Sequence, residues 1–198
     1  MSEWWTYRLS DFLMFSPRTY WRLVELYQRE VWPLQLLALG VGIALLWLAA
    51  RRPKGAVRAI CAVLALAWLW VGWAFHLERY ATVNWAARYL AAAFALEALM
   101  LVVLGALRPG PLPHSKRDRG RTAGLFLAAC GILIYPIGIL LAGRPLAQAE
   151  VFGVMPEPTA LGSIGLLLAA GPGRRNWLLI IPVVSLVIGA ATHWLLAA

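Results

Sequence analysis

The sequence predicts an all-α protein, a polytopic transmembrane helix bundle of six spans that follows an N-terminal amphipathic interfacial helix. Of its 198 residues, 62% are hydrophobic and 14% are charged, against roughly 25% charged residues in a soluble domain. The apolar residues are gathered in blocks of about 20, the length that crosses a bilayer. Six such blocks and their links use nearly the whole chain, which excludes a large soluble domain.

Residues 1–32 form a segment distinct from the spans. Ser16-Pro17 places a cap residue before a proline at the first helical position. One helical face is apolar and the other charged; the apolar face holds Tyr20, Leu23, Val24, Tyr27 and Val31. We expect this helix to lie on the outer leaflet or to dock across the bundle, with Trp4, Trp5 and Phe12–Phe15 as a second apolar anchor. A helix that recruits a protein partner has the same pattern, so both interpretations stay open.

Residues 33–198 form the transmembrane domain. Its apolar blocks predict helices at about 34–50, 57–77, 85–107, 122–142, 158–171 and 177–196. Each is near spanning length except the fifth, which is short for the hydrocarbon thickness. Pro156 and Pro158 are expected to exclude regular helix at their positions, and Thr159 to cap the helix that follows. A broken or re-entrant fifth span is therefore expected, while Gly162, Gly165 and Ala169 also fit a small-residue packing face. Tyr135-Pro136 predicts a kink in the fourth span.

The net charge of +9 gives the orientation. Three links carry eleven basic residues and a single acid, Asp118; they are Arg51–Arg58, Arg108–Arg121 and Arg174–Arg175. With six spans, these links share one side of the membrane, and the positive-inside rule makes that side cytoplasmic. We therefore expect both termini outside and basic links that meet anionic lipid headgroups on the cytoplasmic side.

The tryptophans test this register independently, because indole prefers the headgroup level. Most of them fall at predicted span ends: Trp32, Trp70, Trp73, Trp85 and Trp194 at outer ends, and Trp47 and Trp177 at inner ends. Trp68 is the poorer fit.

Polar residues outside the basic links concentrate toward the outer face, in what we interpret as one outward-facing basin. It takes in the surroundings of the second and fourth links, including Glu78, Arg144 and Glu150. The candidate substrate- or ion-binding residues are Glu97, His76, Asn84, Arg88, Tyr135, Glu157, Thr159 and His193.

Glu97 differs from the others because it lies about twelve residues into the third span, close to 18 Å along the helix and thus near the midplane. A carboxylate there costs a few kcal/mol unless it is paired, hydrated or protonated. It is interpreted either as a proton- or cation-linked site, or as a protonated structural group bonded to Gln35, Tyr135 or Ser163.

The sequence holds no Gly-x-Ser-x-Gly, His-Glu-x-x-His or phosphate-loop motif. It therefore favours a non-enzymatic protein with no catalytic residues, metal site or cofactor. The basic residues lack an aromatic stacking platform, so no nucleic-acid partner is expected. Val31-Trp32-Pro33 and Val154-Met155-Pro156 open two similar hairpins, which suggests either an internal repeat or coincidence in a chain rich in Leu, Ala and Gly.

Four stretches resemble an uncharacterised family of bacterial multi-pass membrane proteins. They are FSPRTYWRLVELYQREVWP from Phe15, WLWVGWAFHL from Trp68 with Asn84 nearby, Tyr135-Pro136, and FGVMPEPT from Phe152. The resemblance covers nearly the whole chain and implies a six-helix integral protein of the bacterial cytoplasmic (inner) membrane without an assigned activity. The family tends to have Pro-Cys-Pro where this chain has Glu157 between prolines, so a thiol or soft-metal role at that position is not expected here.

Three functions follow from these observations. The first is transport or binding of a small solute or ion through the outer basin. The second is a scaffold or accessory subunit that holds a protein partner through residues 1–32. The third is a haem-binding redox protein in which His76 and His193, predicted at similar depth, are axial ligands.

Overall fold

The computed structural model describes residues 15–108, 119–141, 143–171 and 175–197. These residues form helices and turns, with no β-strand among them. The helices are α1 (Pro17–Glu30), α2 (Leu34–Arg51), α3 (Ala56–Trp70), α4 (Ala87–Met100), α5 (Arg119–Ala129), α6 (Tyr135–Leu141), α7 (Pro156–Ala170), α8 (Arg175–Leu178) and α9 (Ile180–Ala197). Trp4, Trp5 and Phe12–Met14 of the predicted anchor, and most of the second basic link, lie outside the described residues.

Several helices are long and apolar enough to cross a membrane. Within the described ranges these are Leu34–Arg51, Ala56–Thr82, Ala87–Leu107, Gly120–Gly138 and Asn176–Leu196. The outer helices expose apolar side chains, such as Leu36 on α2 (59% exposed) and Val187 on α9 (62% exposed). Exposed apolar surface of this extent is typical of contact with lipid.

The predicted fifth span corresponds to α7, which is shorter and occupies the centre of the bundle. Its fifteen residues rise about 22 Å, less than the roughly 30 Å hydrocarbon core. Most of its side chains are buried against α2, α3, α5 and α9.

The expectation that the two prolines exclude helix was wrong. α7 begins at Pro156, and both prolines lie in its first turn, where the backbone N–H groups have no helical acceptor. Thr159 does not cap the helix. Its hydroxyl instead donates to the carbonyl oxygen of Met155 (2.6 Å) and accepts from the backbone N–H of Gly153 (2.8 Å), which secures the turn before α7.

Small residues bring α5 and α7 into backbone contact. A Cβ atom at Gly165 would lie 2.1 Å from the backbone nitrogen of Ala128, and one at Gly124 would lie 2.6 Å from that of Ala169. Gly165 therefore acts in packing. Just before Pro136, a π-helical segment, Cys130–Ile134, replaces the α-helical pattern between α5 and α6. Trp68 is fully buried and donates from Nε1 to Ser163 Oγ (2.9 Å), which explains its poor fit to the headgroup pattern.

Basic residues gather at one end of α7. Arg52 donates to the carbonyl oxygen of Ala169, and Arg121 donates to that of Ala50. Both carbonyls belong to the last turn of a helix, where cations are favoured. The opposite end of α7, at Pro156 and Glu157, lies about 22 Å away along the helix axis.

Candidate functional site

Three ionisable side chains meet at the N-terminal end of α7. They are Glu150, from the loop before α7; Glu157, the second residue of α7; and His193, from α9. His193 Nε2 lies 3.7 Å from Glu150 Oε1 and 3.7 Å from Glu157 Oε1. One potential ligand atom from each residue lies within 4.8 Å of the other two. We call these residues the Glu-Glu-His cluster.

The two carboxylates of the cluster are buried, and most of the cluster's polar atoms lack a well-formed hydrogen bond. Glu150 is fully buried, the Glu157 side chain is 8% exposed and the His193 side chain is 23% exposed. Both carboxylate oxygens of Glu150, Glu157 Oε2 and His193 Nε2 have no partner at hydrogen-bonding distance and angle, although the Tyr135 hydroxyl lies close enough to Glu150 to interact with it. Buried polar groups in folded proteins are nearly always hydrogen-bonded. Several neighbouring polar atoms without partners therefore point to a bound ligand.

The Glu157 side chain fits between α7 and α9 because α9 has a glycine, Gly189, at the point of contact. A Cβ atom at Gly189 would lie 2.5 Å from Glu157 Oε1, so glycine at this position admits the carboxylate. Gly189 and His193 are four residues apart and share one face of α9. The N-terminal end of α7 also favours the negative charge of Glu157.

Helix α1 fixes the loop that carries Glu150. Gln28 Nε2 donates to the carbonyl oxygen of Ala149 (2.6 Å), and the Tyr27 hydroxyl donates to that of Val154 (3.2 Å). Both side chains are buried. The α1 segment therefore docks on the bundle and holds the loop at both ends.

Aromatic rings line the α1 side of the cluster. The His193 ring lies 6.0 Å from the Tyr20 ring and 5.5 Å from the Trp21 ring, between centroids. The guanidinium of Arg144 stacks over Trp21 at 3.6 Å in a cation–π contact. Sequence analysis did not identify Tyr20 and Trp21 as site residues, because a helix-period stripe does not reveal which residues it packs against.

Burial raises the pKa values of Glu150 and of its neighbour Tyr20 on α1. Desolvation, and secondly the neighbouring Glu157 charge, raise the pKa of Glu150 to about 8. Burial raises the pKa of Tyr20 well above its ordinary value, with Glu157 and Glu150 adding to the effect. The protonated forms of Glu150 and of the Tyr20 phenol are therefore favoured at neutral pH.

Two cavities are each lined by a residue of the cluster. One, of about 300 Å³, is lined by Glu157 together with Tyr20, His76 and Asn84. The other, of about 380 Å³, is lined by His193 together with Tyr135, Cys130 and Arg144. Tyr135 also lies within electrostatic range of Glu150. Five of the residues predicted from sequence thus line these two cavities: His76, Asn84, Tyr135, Glu157 and His193.

The other three lie apart from the cavities. Arg88 is exposed, and Thr159 is used in the turn before α7. Glu97 is fully buried on α4 with neither carboxylate oxygen hydrogen-bonded, and it lines neither cavity. Ser163 bonds Trp68 and Gln35 bonds Gln28, so those two proposed partners of Glu97 are engaged elsewhere.

Ring contacts connect the two histidines that sequence analysis considered as axial haem ligands. His76 contacts the Tyr80 ring (6.1 Å between centroids), Tyr80 contacts Tyr20 (5.9 Å), and Tyr20 contacts His193. Both imidazoles therefore belong to one group of aromatic rings with Tyr20 and Tyr80.

Comparison with known proteins gives a family without an activity. No curated protein and no solved structure matches the chain. A family model described as a family of unknown function, DUF6064, matches residues 18–198. The matched region contains the loop of Glu150, α7 and α9, and therefore the whole candidate site. Because that match covers most of the chain, the chain belongs to the DUF6064 family.

Proposed function

We propose that this protein is a multi-pass protein of the bacterial inner membrane that binds a small cation in the Glu-Glu-His cluster as a step of its transport. The observation that carries the proposal is the pair of buried, unsatisfied carboxylates of Glu150 and Glu157 beside His193. Removing such groups from water is costly unless a counter-charge replaces the water. A cation supplies that charge.

The topology supports access from the outer side. In this proposal α7 is a sixth, short membrane segment inside a ring of longer helices. Arg52 and Arg121 mark one end of α7, and the cluster occupies the other. Basic residues favour the cytoplasmic side, so the cluster faces outward, as do both chain termini.

In this proposal two cavities give access to the cluster, since Glu157 lines one and His193 lines the other. Release of the ion on the cytoplasmic side then requires a change in the packing between helices, as in carriers whose site lies between helices. Gly189 of α9 has no side chain, so nothing on α9 at this position hinders movement of the Glu157 side chain.

A scaffold role through residues 1–32 finds less support. The apolar face of α1 is covered by the chain itself, since Tyr20, Val24 and Tyr27 are buried. We therefore propose cation binding in preference to partner recruitment.

Flux measurements test the proposal. Purified protein in liposomes is supplied with radiolabelled Na⁺, Rb⁺, Mn²⁺ or Zn²⁺ outside, and uptake is compared with that of protein-free liposomes. We expect protein-dependent uptake of at least one ion, lost in Glu157→Gln and retained in Glu78→Gln, which changes an exposed carboxylate. Uptake of none of these ions, or uptake unaffected by Glu157→Gln, would overturn the proposal.

A further inference from the structure

We propose that the Glu-Glu-His cluster is a binding site for a divalent first-row transition-metal ion, coordinated by Glu150, Glu157 and His193. This inference rests on the proposed cation-binding function and names the class of ion. No metal site was expected from the sequence, because the three residues lie on three different elements and His193 is far along the chain from the two glutamates.

Distances within the cluster are close to those of a coordinated ion. Ligand atoms about 2.1 Å from one metal ion lie about 3.4 Å apart when the geometry is tetrahedral. The two distances from His193 Nε2 are 3.7 Å, and all three ligand atoms lie within 4.8 Å of one another. A side-chain shift of a few tenths of an ångström to about 1 Å closes the site.

The donor types select the class of ion. Two carboxylates and one imidazole suit Zn²⁺, Mn²⁺, Fe²⁺ and Co²⁺. Ca²⁺ and Mg²⁺ prefer sites made entirely of oxygen, and Ca²⁺ takes six to eight ligands. A monovalent cation would neutralise one carboxylate and leave the other to keep its proton, whereas a divalent ion can displace that proton and neutralise both carboxylates.

Three protein ligands leave at least one coordination position open. Glu157 and His193 each line a cavity, which gives room for water at that open position. Metal sites with three protein ligands keep a position for water or substrate, unlike closed structural sites with four protein ligands.

Charged and polar groups from several neighbouring elements surround the cluster. Arg144 opposes a cation, but its guanidinium stacks on Trp21 and one positive charge faces two carboxylates. The hydroxyl groups of Tyr20 and Tyr135 lie within electrostatic range of both glutamates. His76 also lines the cavity beside Glu157, and both of its ring nitrogens lack hydrogen-bond partners.

Co²⁺ is the probe, because its visible absorption reports ligand number and geometry. Tag-free protein in detergent, stripped of metal, is titrated with CoCl₂, and bound metal is counted by elemental analysis. We expect one Co²⁺ per chain in the wild type, with d–d bands in the visible region. In Glu150→Gln, Glu157→Gln and His193→Gln the affinity should fall by roughly 100-fold or more, because each removes a ligand.

Glu97→Gln is the matched control, since Glu97 is equally buried and unsatisfied but lies outside the cluster. It should bind Co²⁺ like the wild type. Near-ultraviolet circular dichroism confirms that each variant is folded. If one ligand variant does not fold, a Zn²⁺-dependent rise in the Tm of the wild type and Glu97→Gln, absent in the remaining ligand variants, decides the question.

Wild-type protein that binds no Co²⁺, or ligand variants that bind it as well as Glu97→Gln, would overturn the metal site. The two proposals fail separately. Protein that binds Co²⁺ at the cluster but moves no ion keeps the metal site and loses transport. Protein that moves Na⁺ or Rb⁺ in a Glu157-dependent way without binding Co²⁺ keeps transport and loses the metal site.

Discussion

The carboxylate of Glu157 lies against the backbone of Gly189, where an added Cβ atom would be 2.5 Å from Oε1, 2.7 Å from Cγ and 3.0 Å from Cδ. All three contacts involve one flexible side chain, so an alanine at 189 would move Glu157 while leaving the helices in place. Position 189 is one turn before His193 on the same face of α9. The distance between two of the three proposed ligands therefore depends on the absence of a side chain here.

Gly189→Ala is expected to weaken Co²⁺ binding by about 10-fold, the scale of changes that misplace a metal ligand. The free energy of unfolding of the metal-free protein should stay the same or rise, because alanine favours helix over glycine by roughly 0.5–1 kcal/mol. Titration and thermal unfolding in the same detergent measure the two effects. Gly40→Ala is the control, since nothing lies within 4 Å of a Cβ atom there; equal affinities in the two variants would contradict the argument.

Gly165→Ala, in contrast to Gly189→Ala, should lower the free energy of unfolding. Its Cβ atom would lie 2.1 Å from the backbone nitrogen of Ala128 and 2.6 Å from the Gly124 carbonyl oxygen. Backbone cannot yield as a side chain can, so α5 and α7 must separate. We expect a loss of about 2 kcal/mol or more in the free energy of unfolding, measured by thermal or denaturant unfolding.

Gly138→Ala provides the comparison for Gly165→Ala, because a Cβ atom at 138 meets nothing within 4 Å. Its stability should match or exceed that of the wild type. A Gly165→Ala protein as stable as the Gly138→Ala protein would show that the α5–α7 contact is not as close as described.

Much of the architecture was predictable because it depends on local composition. The apolar blocks near 34–50, 57–77, 85–107, 122–142 and 177–196 all contain helices long enough to cross a membrane. The start of α7 was missed, because prolines are compatible with a first helical turn and the sequence alone does not show where that turn begins.

The site was predictable only in part. Glu157 and His193 were identified because polar residues in apolar surroundings stand out, and Glu150 was placed in the same basin. Their convergence depends on how α7 and α9 are aligned. Gly189 permits this alignment, but no local sequence pattern predicts it. Glu97 had the strongest sequence signal, since depth in a span can be counted along one helix, yet it lines neither cavity.

Glu150→Gln should stabilise the metal-free protein at alkaline pH. The pKa of Glu150 is raised from 4.5 to about 8, first by burial and then by Glu157. The protonated form is therefore favoured in the folded state, and its contribution to stability is fully present below pH 4.5 and lost as pH rises through about 8. Glutamine, always neutral, removes this loss.

Thermal unfolding in chelator at pH 6 and pH 8.5 measures the effect. The wild-type Tm should fall more between these values than the Tm of Glu150→Gln, with a difference of roughly 3 °C or more at pH 8.5. Glu78→Gln, at an exposed position, should follow the wild type. Parallel pH profiles for the wild type and Glu150→Gln would argue against a protonated Glu150 in the empty site.

Gln28→Ala tests whether α1 positions the site or only covers it. Gln28 Nε2 donates to the carbonyl oxygen of Ala149, immediately before Glu150, and Gln28 Oε1 accepts from Gln35. Without Gln28, that carbonyl loses its donor in a buried place, and the loop should shift to find another. We expect Co²⁺ affinity to fall by about 10-fold, with absorption bands displaced by the altered position of Glu150.

The matched change on the same helix is Arg22→Ala, which removes an exposed side chain paired with Glu25. Exposed ion pairs contribute little, so this variant should bind Co²⁺ like the wild type. If Gln28→Ala lowers the Tm but leaves the affinity and the spectrum unchanged, α1 stabilises the bundle without setting the position of Glu150. If the Co²⁺ affinity of Gln28→Ala falls and its absorption spectrum shifts while the protein stays folded, α1 helps to position the ligands of the ion.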